Sequence, residues 1–199
     1  MKRQSAILPL ILFFLLIGTA NSATYVAPGA AYHYTFTNPG TGWEQPGFDD
    51  SQWNIGLAPF GNVSSGDFGY NTYWPADGGD GFDVWLRITV ELPAMSQLQY
   101  DLGVDNGFEL WLNGTSIAAA NEEGYTYRWE YSGSLDTSLL YLGTNYIGIA
   151  LEDHGGSTAF DMQLSGNPVP IPGAAWLLVS GLIGIVGLRN KNRKRKNRF

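Results

Sequence analysis

Three aspartates in a glycine-rich stretch are the first residues of this chain whose types could do chemistry. The stretch reads Asp-Gly-Gly-Asp-Gly-Phe-Asp and places carboxylates at Asp77, Asp80 and Asp83. Such a loop could wrap Ca²⁺, a hard cation that takes six to eight oxygen ligands, although the spacing and closing glutamate of an EF-hand are missing. We therefore predict a calcium site that includes this loop, with a solvated acidic loop as the alternative.

Aromatic side chains just before this loop form a second candidate site. Residues 68–74 read Phe-Gly-Tyr-Asn-Thr-Tyr-Trp, so that two polar residues separate Tyr70 from the adjacent Tyr73 and Trp74. Ligand sites commonly combine apolar walls with a few polar groups, and exposed aromatic faces beside amides suit sugar recognition. Aromatic residues also pack loops over the core of a small domain. The sequence therefore leaves two interpretations open, a carbohydrate-binding surface at these three residues and loop packing.

The sequence contains no convincing catalytic group. Asp49 and Asp50 are a carboxylate pair, but adjacent residues on an extended chain point in opposite directions and would not flank one glycosidic bond. Hydrogen bonding to the backbone of a turn is the simpler role for them. His33 and His154 lie in no metal-ligand spacing and near no nucleophile motif. We expect a protein that is not an enzyme, with Arg87 in a structural ion pair.

The amino terminus has the layout of a secretory signal peptide. Lys2 and Arg3 precede an apolar run over residues 7–17, and small residues follow at 18–20 and 22–23. The run is short for a membrane span, which favours a cleaved signal over a retained helix. We assign residues 1–23 to the signal, with cleavage after Ala20 or Ala23.

The carboxyl terminus, residues 167–199, has three parts. A proline motif at Val169, Pro170, Ile171 and Pro172 precedes an uncharged apolar segment, residues 173–188. As a helix this segment would be about 24 Å long, slightly short of a hydrocarbon core of roughly 30 Å. Seven of the last eleven residues, 189–199, are Lys or Arg, which predicts that this end stays on the cytoplasmic face of the inner membrane.

Between these ends lies a strongly acidic segment, residues 24–166. It holds all 18 acidic residues of the chain against two arginines, a net charge of −16, whereas the whole chain has −7. Such a charge should repel nucleic acid and attract cations or basic partners, although solubility alone also accounts for it. The chain has no cysteine, so this segment must depend on its core for stability.

The pattern of this segment predicts one all-β domain. Short alternating runs separated by turn signals read as strands, and no window shows a helical period. Asn113-Gly114 favours a two-residue hairpin, and Asn106-Gly107 and Gly155-Gly156 favour further turns. These strands favour antiparallel pairing in a two-layer sandwich, of which a jelly roll is the natural form. The predicted strands cover residues 32–37, 84–92, 98–104, 108–112, 115–118, 125–129, 146–151 and 159–164.

An ordered series of motifs over about residues 40–165 resembles galactose-binding-like β-sandwich domains, as found beside glycoside hydrolase catalytic domains. The motifs are Gly42-Trp43, the stretches at 48–53, 56–61 and 85–87, the run from Val104 to Gly114, and the stretches at 143–151 and 160–164. The resemblance implies the fold, a core position for Trp43 and Trp53, and a carbohydrate as the ligand class. Calcium often bridges loops in such sandwiches.

The carboxyl-terminal segment resembles the PEP-CTERM sorting signal of Gram-negative bacteria, in a variant with Val-Pro-Ile-Pro as its proline motif. The resemblance implies processing by an exosortase-type enzyme, and a plain membrane anchor is the alternative. We therefore expect a protein that passes through the inner membrane to the cell surface or extracellular matrix and binds polysaccharide without catalysis. The alternatives are a structural matrix protein that binds no sugar and an accessory module of a glycan-active hydrolase.

Overall fold

The computed structural model describes residues 21–62, 69–76, 78–79, 81–121 and 127–169, together with residues 181 and 183. Residues Asn21–Val169 form one compact unit. Its strands are β1 Ala23–Val26, β2 Ala31–Thr35, β3 Asn54–Leu57, β4 Phe60–Gly61, β5 Thr72–Tyr73, β6 Phe82–Leu92, β7 Met95–Asp105, β8 Gly107–Leu112, β9 Thr115–Asn121, β10 Tyr131–Leu135, β11 Gly143–Glu152 and β12 Ala159–Pro168, and one 3₁₀-helix covers Thr137–Leu139.

The described strands form two sheets. The first has the order β10-β7-β12-β4-β5, with β1 also paired to β12, and the second has the order β3-β2-β6-β11-β8-β9. Pairing is antiparallel except between the two-residue strands β4 and β5. Buried side chains from both sheets, among them Leu86 and Ile149 of the second and Phe160 and Met162 of the first, form one apolar core. The chain is thus a β-sandwich, as the alternating pattern predicts.

The hairpin between β8 and β9 is confirmed in detail. Asn113 and Gly114 have φ values of 51° and 85°. A two-residue hairpin loop with positive φ at both positions matches the right-handed twist of its strands. The Asn113 side chain also donates to the Leu139 carbonyl and to Asn145 Oδ1, both at 2.8 Å, so the turn is tied to the segment before β11.

One local prediction is wrong. Tyr127–Glu130 forms a turn, not the end of a strand at 125–129, and the strand of this region, β10, begins at Tyr131. The alternation of aromatic residues is overridden by Arg128, whose guanidinium pairs with the buried Asp161 and stacks on Trp129. Asn106-Gly107 separates two strands, as predicted, with a bend at Asn106. The chain there passes from β7 in the first sheet to β8 in the second.

The outer face of the second sheet is covered by the segment that precedes β3. Trp43 of this segment packs with Trp85 and Ala150 of the sheet, and Phe48, Trp53 and Trp111 complete the cluster. Gly148 lies under this layer, since a Cβ at that position would come within 3.0 Å of the Trp43 ring. Trp43 is buried and Trp53 half-buried, and both belong to this outer cluster, not to the core between the sheets.

Arg87 of β6 fastens the covering segment to the sheet. It is 3% exposed, and its Nε donates to Asp50 Oδ2 at 2.8 Å. Its Nη1 donates to the carbonyls of Trp43 and Gln45. The guanidinium also lies 5.4 Å from the ring centre of Phe48. The expected structural ion pair is therefore present, within a larger set of hydrogen bonds.

Replacing Arg87 with Met should destabilise the domain. The variant removes the charged donor of Asp50 Oδ2 and of the Trp43 carbonyl and one of the two donors of the Gln45 carbonyl, so we expect the free energy of unfolding to fall by about 3 kcal/mol. Urea denaturation followed by tryptophan fluorescence measures this change. Asp49→Asn is the matched control: it alters the exposed neighbour of Asp50, and its stability should stay within about 0.5 kcal/mol of the parent. An Arg87→Met protein as stable as the parent contradicts this role.

The predictions for the two ends of the chain concern residues that are largely outside the described ones. Of the signal peptide only residues 21–23 are described, and Ala23 already pairs with Gly166 at the start of β1. Val169 is described, whereas Pro170, Ile171, Pro172 and the basic end are not. Within the described residues, no helix has both the length and the apolar character needed to cross a bilayer.

Candidate functional site

The three residues of the predicted carbohydrate surface lie in different environments. Tyr70 and Tyr73 are 40% and 58% exposed, and their ring centres lie 6.1 Å apart in an edge-to-face arrangement. Trp74 is 0% exposed and belongs to the core. Successive side chains of a strand point to opposite faces, which turns Tyr73 outward and Trp74 inward. Trp74 is therefore a packing residue, and the surface candidate consists of Tyr70 and Tyr73, the tyrosine pair.

Backbone contacts position the tyrosine pair. The amides of Asn71 and Thr72 both donate to the Pro59 carbonyl, at 2.8 and 3.2 Å. Thr72 Oγ1 donates to the Leu57 carbonyl at 2.8 Å, which joins β5 to β3 of the other sheet. Gly61 lies beside Tyr70, and a Cβ there would be 3.4 Å from the Tyr70 Cβ. The rings are therefore held on short, well-anchored segments.

The described segments that hold the tyrosine pair and the neighbouring β3 have no charged side chain. The described segments 54–62 and 69–76 contain no Asp, Glu, Lys or Arg, although the domain as a whole is strongly acidic. Ile55 and Leu57 of β3 are 70% and 53% exposed. Apolar groups and neutral amides thus dominate this edge of the sandwich.

The glycine-rich loop of the predicted calcium site contacts the end of β11. Asp83 Oδ2 accepts the Asp153 amide at 2.7 Å, so one carboxylate of the predicted set holds the backbone. The amide of Gly78 donates to Asp153 Oδ2 at 3.3 Å, and that of Gly81 to Glu152 Oε1 at 2.6 Å. Asp77 and Asp80 lie outside the described residues. The described residues contain no group of three His, Asp or Glu side chains arranged to hold a metal ion.

Asp105, at the end of β7, is a buried carboxyl at this end of the sandwich whose pKa is raised. It is 6% exposed. Burial, together with the negative charges of Asp153 and Glu130, raises the pKa of Asp105 from 3.8 to about 6. Asp105, Glu152 and Asp153 are not part of any sequence motif, so the sequence did not predict that they lie close together. The sequence offered one indication of this cluster: the acidic pair Glu152 and Asp153 directly follows the apolar run at 146–151.

Asp49 makes the predicted hydrogen bond to the backbone of a turn, whereas the Asp50 carboxylate contacts the side chains of His33 and Arg87. Asp49 Oδ1 accepts the Ser51 amide at 3.1 Å, and the hydrogen bonds from Ser51 hold the pKa of Asp49 below its usual range. Asp50 Oδ1 lies 3.1 Å from His33 Nδ1, while its other oxygen binds Arg87. The two carboxylates therefore do not face each other across a cleft.

Solved structures share this fold at low sequence identity. A Bacteroides uniformis beta-glucuronidase 2 covalently bound to cyclophellitol-6-carboxylate aziridine matches 74% of this chain at 17% identity, with a TM-score of 0.52, over 18% of that chain. Another structure of Bacteroides uniformis beta-glucuronidase matches 74% at 16% identity, with a TM-score of 0.52, over 18% of its chain. A beta-glycosidase from Bacteroides vulgatus matches 72% at 18% identity, with a TM-score of 0.48, over 20% of its chain.

This chain thus spans about a fifth of the length of the solved chains it matches. At these identities the likeness shows a common fold. No protein-family model matches the sequence, and no curated protein matches it.

The raised pKa of Asp105 predicts how stability changes with pH. Between pH 3.8 and about 6 the folded state keeps a proton that the unfolded state releases. Stability therefore falls as pH rises through this window. Asp105→Asn mimics the protonated carboxyl, so at pH 7 we expect it to raise the free energy of unfolding by about 1 to 3 kcal/mol.

Urea denaturation of both proteins at pH 4, 5, 6 and 7 measures this effect. The difference between variant and parent should be small at pH 4 and should grow up to about pH 6. Asp136→Asn is a control, since Asp136 is an exposed carboxyl whose pKa is lowered by hydrogen bonds from Ser138. A constant difference between Asp105→Asn and parent at all four pH values contradicts the assignment.

Proposed function

We propose that this chain is an exported, non-catalytic carbohydrate-binding protein whose β-sandwich binds sugar rings at Tyr70 and Tyr73. The observation that carries the proposal is the exposure of these two contacting rings on described segments, 54–62 and 69–76, that contain no Asp, Glu, Lys or Arg in an otherwise acidic domain. In this proposal the sandwich is a jelly roll of the galactose-binding-like type, and its ligand is an extracellular polysaccharide.

The chemistry of the tyrosine pair supports this ligand class. A pyranose ring has an apolar face of C–H groups that packs against an aromatic ring, while its hydroxyls form hydrogen bonds at the rim. A tyrosine offers both an apolar face and a hydroxyl, and it has few side-chain rotamers to restrict on binding. Two rings set at an angle would contact two faces of a sugar, or two neighbouring sugars.

The comparisons support an accessory role. The structures that share the fold at a TM-score of 0.52 are beta-glucuronidases, and the match covers 18% of their chains. A unit of that size beside a larger remainder fits a binding module better than a catalytic one. The engagement of Asp49 and Asp50 by Ser51, His33 and Arg87 fits the same interpretation.

The two ends of the chain contain the proposed export and sorting signals. The charged start and apolar run of residues 1–23 direct export, and the proline motif 169–172, apolar segment 173–188 and basic end 189–199 form the PEP-CTERM-like signal. The chain resides transiently in the inner membrane, an exosortase-type enzyme processes it there, and the sandwich then reaches the cell surface or the extracellular matrix.

Binding to an array of bacterial polysaccharides tests the carbohydrate-binding function. We expect the purified protein to bind at least one polysaccharide, and Tyr70→Ala and Tyr73→Ala each to weaken that binding about tenfold, because each removes one aromatic face. Tyr141→Ala is the matched control, since Tyr141 is 53% exposed and lies elsewhere on the surface.

A protein that binds no polysaccharide on the array would indicate a structural matrix component instead. Equal binding by the Tyr73→Ala and Tyr141→Ala variants would place any sugar site elsewhere. Thermal denaturation of each variant shows whether the substitution has disturbed the fold.

Calcium binding by the loop of Asp77, Asp80 and Asp83 has its own experiment. If Ca²⁺ binds the folded state there, millimolar Ca²⁺ should raise the melting temperature, because a ligand specific for the folded state stabilises it by mass action. Asp80→Asn should reduce this rise, while Asp136→Asn should not. A melting temperature that is the same with Ca²⁺ and with chelator contradicts a calcium site.

A further inference from the structure

A groove lies on the outer face of the second sheet, away from the tyrosine pair. It has a volume of about 290 Å³, and its lining includes Phe82, Glu109, Asn121 and Glu152. Its size lies at the lower end of ligand pockets, which typically measure about 300–1,000 Å³. A single sugar ring or a ligand of similar size therefore fits it better than a long segment.

The register of the sheet explains the groove. Gly107 of β8 pairs with Glu152 of β11 on one side and with Asn121 of β9 on the other. Directly paired residues share a face of the sheet, so a glycine stands between two polar side chains. A Cβ on Gly107 would come within 3.2 Å of Asn121 Oδ1. Gly107 thus allows β9 to approach closely, which holds Asn121 beside the groove, and Glu109, two residues along the strand, lies on the same face.

An aromatic side chain borders this space. Phe82 is 36% exposed at the start of β6, and its ring centre lies 6.5 Å from that of Trp111 in an edge-to-face arrangement. The contact with Trp111 fixes the Phe82 ring beside the carboxylates. Aromatic faces attract cations as well as the C–H face of a sugar.

The two glutamates keep acceptor capacity. Glu109 Oε1 accepts the Ser116 hydroxyl at 2.6 Å. Glu152 Oε1 accepts the Gly81 amide and lies 3.3 Å from His154 Nε2. Within the described part of the chain, Oε2 of neither glutamate accepts a hydrogen bond from the protein. A ligand that donates hydrogen bonds would find two such oxygens here.

The negative charge around the groove favours a cationic ligand. Residues 24–166 contain no lysine and only two arginines, Arg87 and Arg128, which pair with Asp50 and Asp161. Neither arginine lines the groove, where the basic group beside Glu152 is His154, which is charged only when protonated. Asp153 adds negative charge at the same end of the sandwich. An anionic sugar such as a uronic acid would be repelled, whereas a protonated amine would form charge-assisted hydrogen bonds with the carboxylates.

We infer that this groove is a second binding site, which takes an amino sugar with a free, protonated amine, such as a glucosamine unit of a deacetylated polysaccharide. The ammonium group binds Glu109 and Glu152, the C–H face of the ring packs on Phe82, and Asn121 contacts the sugar hydroxyls. This site is separate from the tyrosine pair and does not depend on sugar binding there.

Calorimetric titration of the purified full-length protein at pH 6 tests the site with two disaccharides. One is the β-1,4-linked glucosamine disaccharide, and the other is its N-acetylated form, which has the same rings without the charge. We expect the charged disaccharide to bind at least tenfold more tightly. Equal affinity for both disaccharides, or no binding of the charged one, overturns the proposal.

A matched pair of variants locates the binding. Glu109→Gln removes one groove charge and should weaken binding of the glucosamine disaccharide at least fivefold. Glu91→Gln is the control: Glu91 Oε1 likewise accepts a hydroxyl across neighbouring strands, from Thr144 at 2.5 Å, but it lies at the opposite end of β6. Equal losses in the two variants indicate attraction to the acidic surface in general and overturn the proposal.

A third variant separates this site from the proposed polysaccharide surface. Tyr73→Ala should leave binding of the glucosamine disaccharide unchanged, whatever its effect on the polysaccharide array. Loss of disaccharide binding in Tyr73→Ala would assign the sugar to the tyrosine pair and remove the groove as its site. A lysine-containing peptide that binds while neither disaccharide does also overturns the proposal.

Discussion

The position of the segment before β3 depends on one buried cation. Arg87 projects from β6 beneath that segment, and its donors reach the Asp50 carboxylate and the carbonyls of Trp43 and Gln45. A buried guanidinium is tolerated only when such acceptors surround it. Because these acceptors belong to the covering segment, the ion pair and the aromatic cluster of Trp43, Trp85 and Trp111 stabilise one another. The outer face of the second sheet is closed over part of its length as a result, and the groove beside Phe82 remains at the uncovered end.

The acidic composition imposes a second constraint. With two arginines for 18 acidic residues in the sandwich region, most carboxylates must be stabilised by other donors or by water. The structure uses backbone amides: Gly78, Gly81 and Gly155 donate to Glu152 or Asp153. Glycines in these loops let the backbone approach the carboxylates closely. Asp105 has less favourable surroundings, because burial and, after it, the negative charges of Asp153 and Glu130 raise its pKa.

Sequence reasoning succeeded where the determinants are local. The alternation over 84–92 and 159–164 identifies β6 and β12, and Asn113-Gly114 specifies the hairpin through its own φ preferences. It failed where a distant partner decides. Tyr127–Glu130 turns because Arg128 reaches Asp161. The two-residue strands β4 and β5 offer too few residues for any alternation to be read.

The candidate sites show the same division. By itself, the sequence determined the all-β class, the acidic character of the domain and the aromatic stretch that contains Tyr70 and Tyr73, because composition and alternation are properties of neighbouring residues. Only the tertiary structure decided that Trp74 points into the core while the tyrosines stay outside. Only strand register, which pairs Gly107 with Glu152 and Asn121, brings the groove residues together. These residues are far apart along the chain, and their proximity depends on how the whole sandwich buries its apolar faces.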